Sequence, residues 1–147
     1  MYSVLILWAP DTFENRRIVD AVTRAFEAAK LAPLVKKAGE ATIVDVNRAD
    51  IVVFGVQKVG TIDVPPDYAE LLRIFKGITL AGRTGGFFSM GSEKSTTRFR
   101  KVLKDTEIAQ SDDDPLFSDQ KEGTSTEIAD WVRRLMARHQ ELKYVGA

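Results

Sequence analysis

The stretch Ser3-Val4-Leu5-Ile6-Leu7-Trp8-Ala9-Pro10-Asp11-Thr12 decides the reading of this chain. Its apolar run halts at Ala9-Pro10-Asp11-Thr12 and passes at once into a helical pattern. That is a buried strand, a tight turn and a helix N-terminus, the unit from which open α/β sheets build a ligand crevice. Turns in this place often hold a phosphate on free helix amides, so their residues bear directly on what the crevice can bind. Here they include carboxylates: Asp11-Thr12-Phe13-Glu14 reads as a capping box, with Asp11 as N-cap and Glu14 three residues on. Such a box uses amides that a phosphate would need. Two carboxylates also repel a phosphate, by about 1 kcal/mol per charge pair at about 4 Å in water. Arg16 and Arg17 offset this if either folds back toward the turn.

Beyond the turn, Ile18, Val22, Ala25, Phe26 and Ala29 recur at helical spacing and predict a helix from Phe13 to Lys30 with one buried face. Leu31 to Val35 reads as a second strand, and Gly39 to Val46 as a short helix. The run Ile51-Val52-Val53-Phe54-Gly55-Val56 is apolar on both faces and β-branched, as a central parallel strand requires. Gln57 to Pro66 is a loop long enough to bind something, and Pro65-Pro66-Asp67 opens a helix that buries Tyr68, Leu71, Leu72 and Phe75. Further on come a strand at Gly85 to Met90, a turn at Gly91 to Ser95, a helix at Thr96 to Leu103 and a short strand at Glu107 to Gln110. Asp112-Asp113-Asp114-Pro115 marks a surface loop. A closing helix over Thr124 to Leu142 buries Ile128, Trp131, Val132, Leu135 and Met136.

Strand and helix alternate about five times, and right-handed crossovers then require a parallel sheet with helices on both faces. The expected architecture is an α/β three-layer sandwich, one domain spanning residues 1–147. Its crevice lies beyond the carboxyl ends of the strands at the switch point, which gathers Pro10 to Asn15, Gln57 to Thr61 and Met90 to Lys94.

Composition narrows the function classes. Twenty-one basic and 21 acidic side chains cancel, so no net field draws the molecule to nucleic acid or an anionic membrane. With no cysteine, disulfides, thiolate chemistry and Cys-ligated metals are excluded, and one histidine argues against a His-rich metal site. No apolar run approaches about 18 residues, and the N-terminus shows no cleavable leader pattern, so a soluble, cytoplasmic protein is expected.

With these elements in this order the chain resembles the flavodoxin family, over nearly its whole length. The resemblance rests on the opening strand, turn and helix, on Ala49-Asp50-Ile51-Val52-Val53-Phe54-Gly55, similar to the family's third strand, and on Phe87-Phe88-Ser89-Met90-Gly91, similar to its fourth. It implies a five-stranded parallel sheet of order 2-1-3-4-5 and an FMN cofactor held by three loops, in a carrier of electrons. The family's phosphate loop has a Thr/Ser-x-Thr-Gly-x-Thr pattern, and the matching stretch is Pro10-Asp11-Thr12-Phe13-Glu14-Asn15. Thr12 matches outright, Asn15 offers an amide donor in place of a hydroxyl, and Phe13 stands where a glycine lets the backbone wrap the phosphate. The resemblance implies that Gln57, Lys58, Val59 and Gly60 flank one side of the flavin ring and Ser89, Met90 and Gly91 another. The second loop carries no aromatic ring to stack on a flavin, Tyr68 being near it only in sequence. Two functions therefore stand side by side: FMN-dependent electron transfer, with no catalytic side chain, and a cofactor-free binding or regulatory module on the same fold.

Other constellations carry less. A response-regulator receiver needs an Asp at the end of the third strand, where this chain has Phe54-Gly55-Val56. The single His139, among Arg138, Gln140 and Glu141, reads as solvated and has no nucleophile to serve. Trp8 at the end of the first strand reads as core more readily than as pocket edge. Asp112, Asp113 and Asp114 read as hydrated. Arg98, Arg100, Lys101 and Lys104 give one helix a basic face suited to an acidic redox or regulatory protein, and without interleaved aromatics not to nucleic acid.

Overall fold

Residues 2–62, 64–90, 95–111, 113–118 and 124–146 are described in the computed structural model of the protein. The first strand, β1 (Val4–Ala9), is buried throughout, and alternate residues serve opposite layers. Val4, Ile6 and Trp8 join one apolar cluster, and Leu5, Leu7 and Ala9 the other. α1 (Phe13–Ala28) follows, burying Ile18, Val19, Val22 and Phe26 in the first cluster. Trp8 is core, 5% exposed.

The second strand is β2 (Leu34–Lys37), three residues later than the sequence suggests. α1 closes through Lys30 at φ 70°, and the Leu31 amide donates to the Phe26 carbonyl at 3.1 Å. Leu31 is thereby drawn into the core and Pro33 offers no amide, so pairing begins at Leu34. The strand lies at the sheet edge, where lysines are well tolerated. α2 (Ile43–Arg48) starts on a reciprocal cap: the Thr42 hydroxyl accepts from the Asp45 amide and the Asp45 carboxylate from the Thr42 amide at 2.9 Å. Lys36 Nζ also reaches Asp45, at 2.9 Å, tying this helix to β2.

The central strands are β3 (Ile51–Val56) and β4 (Thr84–Met90), separated by a 3-10 turn at Pro66–Tyr68 and α3 (Ala69–Phe75). Two glycines permit close packing here. A Cβ on Gly55 would stand 2.5 Å from the Phe88 ring, and one on Gly86 would stand 2.7 Å from Leu135. Tyr68, in full burial, donates its hydroxyl to the Gly55 carbonyl at 2.9 Å. α4 (Ser95–Leu103) leads to β5 (Ala109–Gln110), β6 (Leu116–Phe117) and finally α5 (Thr124–Gly146).

All strand pairs are parallel, in the order β2-β1-β3-β4-β5, with β6 also on β4. The fifth position is thus shared: β5 pairs with Thr84 and Gly85 at one end of β4, and β6 with Ser89 and Met90 at the other. Helices α1 and α5 cover one face, and α2, α3 and α4 the other.

Three surface expectations are corrected. His139 is 1% exposed, its Nδ1 hydrogen-bonded to Thr84 Oγ1 at 2.9 Å and its ring edge-on to Tyr2. It stands one turn beyond Leu135 and continues the buried stripe of α5. Asp113 and Asp114 are half-buried and paired, Asp113 with Arg134 at 2.8 Å and Asp114 with Arg100; Asp112 is outside the described residues. Arg100 is accordingly turned inward, and Arg98, Lys101 and Lys104 remain as the outward cations of that face.

One prediction follows from the α2 cap. The Thr42 amide, and then Lys36, hold the Asp45 carboxyl below its ordinary value of 3.8. A group lowered on folding adds stability that is present above its unfolded value and is lost as pH falls through the folded one. Asp45→Asn should therefore cost about 1 kcal/mol in urea unfolding at pH 7. The gap from wild type should begin to narrow below about pH 4 and close as pH falls through the folded value. A gap that persists at pH 2 would show that the carboxylate charge is not what matters.

Candidate functional site

The carboxyl ends of β1 and β3 meet directly, the Gln57 amide donating to the Ala9 carbonyl at 3.1 Å. A cis peptide joins Ala9 to Pro10, and the Thr12 amide turns back to the Pro10 carbonyl at 3.0 Å. The cap of α1 is Thr12 rather than Asp11: its hydroxyl accepts from the Asn15 amide at 3.2 Å. Asp11 is engaged elsewhere, by Arg16 Nη2 at 2.8 Å and by Lys37 Nζ of β2 at 3.3 Å. The Arg16 hydrogen bond above all, with Lys37, holds the Asp11 carboxyl below its ordinary range. No capping box forms, and no described residue accepts from the amides of Phe13 and Glu14. Of the objections to a phosphate at this turn, the occupied amides are removed among the described residues, the Asp11 charge is paired with Arg16 and Lys37, and the exposed Glu14 carboxylate remains.

Asn15 has another task than the one expected. It is 2% exposed, and its Nδ2 donates to the Pro10 carbonyl at 3.1 Å and to Gln57 Oε1 at 2.8 Å. It ties the first loop to the second, and its amide is not turned out to a ligand. In the second loop Val59 and Ile62 pair through two backbone hydrogen bonds of 2.8 and 2.9 Å around Gly60, whose φ of 58° suits glycine. Lys58 is exposed, and Val59 and Ile62 leave apolar side chains in solvent at the tip.

Ser89 and Met90 are buried at the end of β4, and Gly91 to Lys94 are outside the described residues. Met90 faces the α1 and α5 layer and lines a small cleft with Asn15, Gln57, Glu14 and Ile18. Phe117 of β6 and Ser118, just past it, form the remaining wall. Sequence reading missed this fourth segment, although Leu116-Phe117 after Pro115 is a short apolar run of the kind that marks a strand. The cleft holds about 60 Å³, room for about two waters. Phe13, which stands where a glycine was expected, is 72% exposed with the Arg17 guanidinium over its ring. Of the expected residues, Pro10, Thr12, Asn15, Gln57 and Met90 come together, Lys58, Val59 and Gly60 form the neighbouring tip, and Ser89 lies beneath.

An open parallel sheet of this order, with its loops converging at the β1/β3 switch point, defines a flavodoxin-like fold. Comparison with solved structures agrees. A short-chain flavodoxin associated with a bacterial microcompartment superposes with a TM-score of 0.82 at 13% identity, covering 95% of this chain and 99% of that one. Streptococcus pneumonia flavodoxin gives 0.81 at 18% identity, over 92% of this chain and 99% of its own. Fusobacterium nucleatum flavodoxin, a structure bound to flavin mononucleotide, gives 0.76 at 12%, over 93% and 98%. No protein-family model and no curated protein matches the sequence. The chain has a flavodoxin-like fold. Among the described residues, no helix is long and apolar enough to cross a membrane.

Proposed function

We propose that the protein is an FMN-binding electron carrier, with the phosphate of the cofactor at the first turn of α1. The observation that carries this reading is the pair of amides at Phe13 and Glu14, without an acceptor among the described residues, at the switch point of the sheet, with Asp11 paired to two cations. These amides and the positive end of the α1 dipole suit a phosphate, and the Thr12 hydroxyl is a further donor within the same turn. Asn15 and Gln57 would fix the floor beneath it, and the apolar tip of Val59 and Ile62 would offer the flavin ring a surface that excludes water. FMN, when bound, takes up and releases electrons one or two at a time. The side chains here bind and orient it and do no covalent chemistry. The cleft is well below the several hundred Å³ of an enclosing pocket, so the ring would lie against the loops rather than inside the domain.

The test is a titration of FMN with purified protein, followed by quenching of flavin fluorescence, with riboflavin in parallel. Dissociation constants of about 1 μM or lower, with FMN preferred to riboflavin, are expected. Absence of binding up to about 1 mM would overturn the reading in favour of a cofactor-free binding module on the same fold.

A further inference from the structure

We propose that Asp11 is an internal stand-in for the ligand's phosphate, whose carboxylate occupies the two cations that a phosphate would use and so sets the affinity for phosphorylated ligands. The inference rests on the phosphate-site reading above and deepens it. Arg16 comes from the first turns of α1 and Lys37 from the end of β2, yet both converge on one carboxylate, at 2.8 and 3.3 Å. Nothing local requires that convergence. Asp11 caps no helix, because Thr12 does, so among the described residues its carboxylate serves these two cations. Lys37 has one other anionic partner, Glu40 at 3.4 Å, and Arg16 has none other among the described residues.

The arrangement is displaceable. The Asp11 side chain is 36% exposed, Arg16 57% and Lys37 40%, and exposed pairs of this kind are weak and exchange readily. A phosphate monoester carries about −1.5 to −2 charge at neutral pH against the single charge of the carboxylate, and it can also take the amides of Phe13 and Glu14. It therefore competes well for Arg16 and Lys37, but once it has them Asp11 is left as an unpaired anion beside it. An aspartate carboxyl ordinarily ionises well below neutral pH, so Asp11 does not relieve that repulsion by taking a proton there. A ligand without a phosphate neither gains the cations nor meets the repulsion. Asp11 is thus a specificity-determining residue that acts against phosphorylated ligands, and removing its charge releases Arg16 and Lys37 for a phosphate at the first turn of α1.

The test compares wild type with Asp11→Asn, a change at an exposed position that leaves the Thr12 cap in place. FMN and riboflavin are titrated by flavin fluorescence at about 0.01 M and about 1 M salt, where the screening lengths are about 30 and about 3 Å. Inorganic phosphate is tested separately by thermal shift against chloride of equal ionic strength. The expected result is an affinity for FMN about ten-fold higher in Asp11→Asn at low salt. Riboflavin should change less than about two-fold, and the FMN gain should shrink at high salt. Adding Arg16→Gln should remove most of the gain. Equal tightening of both flavins, or none for FMN, would overturn the proposal. If neither protein binds FMN, the flavin reading fails, and the phosphate arm decides this one: stabilisation of Asp11→Asn beyond wild type supports it, and equal behaviour overturns it.

Discussion

Phe54→Ala is expected to lower the unfolding free energy by about 3–5 kcal/mol, a large share of the roughly 5–15 kcal/mol typical of a domain. Phe54 is fully buried in the middle of the sheet, on β3, facing the α3 and α4 layer. Its ring lies nearly parallel to that of Phe87 on β4, with centroids 5.3 Å apart, and also meets Phe99 of α4 at 5.3 Å and Phe75 of α3 edge-on at 6.1 Å. Aromatic pairs add about 0.5–1.5 kcal/mol each beyond area burial, and four elements share this one ring. Truncation leaves a cavity that the flanking strands, paired along their full length, cannot close. Urea unfolding followed by tryptophan fluorescence measures the loss. A value below about 1.5 kcal/mol would mean that the cluster relaxes far more freely than this packing suggests.

Arg100→Ala is the second large effect, expected at about 2–3 kcal/mol, with increased hydrogen exchange over residues 110–117. Arg100 donates through Nε to Asp114 Oδ2 at 2.7 Å and through Nη2 to the other carboxylate oxygen, which makes the pair bidentate. It also reaches Gln110 Oε1 at 3.0 Å and the Ser111 carbonyl at 2.6 Å, and stacks over Phe87 at 5.1 Å. Thr96 of α4 donates to the same carboxylate at 3.0 Å. Removing one partner of a buried pair costs about 3–5 kcal/mol, and the lower figure here reflects side chains about a quarter exposed. This network fastens the connection between β5 and β6, which delivers Phe117 and Ser118 to the cleft. In a double-mutant cycle, Arg100→Ala and Asp114→Ala should couple by at least about 1 kcal/mol. Additive losses would show that the two residues act separately.

The framework was readable because it depends on local pattern. Runs apolar on both faces, as at Val4 to Ala9 and Ile51 to Val56, can only be central strands with helices above and below. The spacing of Ile18, Val22 and Phe26, and of Ile128, Trp131 and Leu135, marks the helices that cover them. Alternation of the two and right-handed crossovers then leave few sheet orders, and the resemblance to flavodoxins named the one observed. Misplaced elements were those whose limits depend on distant partners. β2 starts late because Leu31 is claimed by the core, and the fifth strand is divided because Arg100 holds the segment between its halves.

For the site, sequence placed the first two loops and the end of β4 at one edge but misassigned roles within them. Choosing Asp11 rather than Thr12 as the cap was a reasonable local reading, since both are good caps and they are adjacent. What decides between them is Lys37, 26 residues away on another strand, which together with Arg16 takes the carboxylate. Asn15 was expected to face a ligand and is instead bound to Gln57, 42 residues on. His139 was read as solvated from its charged neighbours, although the hydroxyl that receives it belongs to Thr84 on β4.

By itself, then, the sequence determined the alternation of strands and helices, the two apolar faces of the sheet and the edge at which the loops collect, because hydrophobic periodicity is a property of neighbours along the chain. Only the tertiary structure decided which carboxylate pairs with which cation, which amides at the head of α1 find no acceptor among the described residues, and which polar side chains are buried. Those outcomes depend on groups that folding brings together from tens of residues apart, and a hydrogen bond or ion pair is settled by distances of a few ångströms that no local pattern encodes.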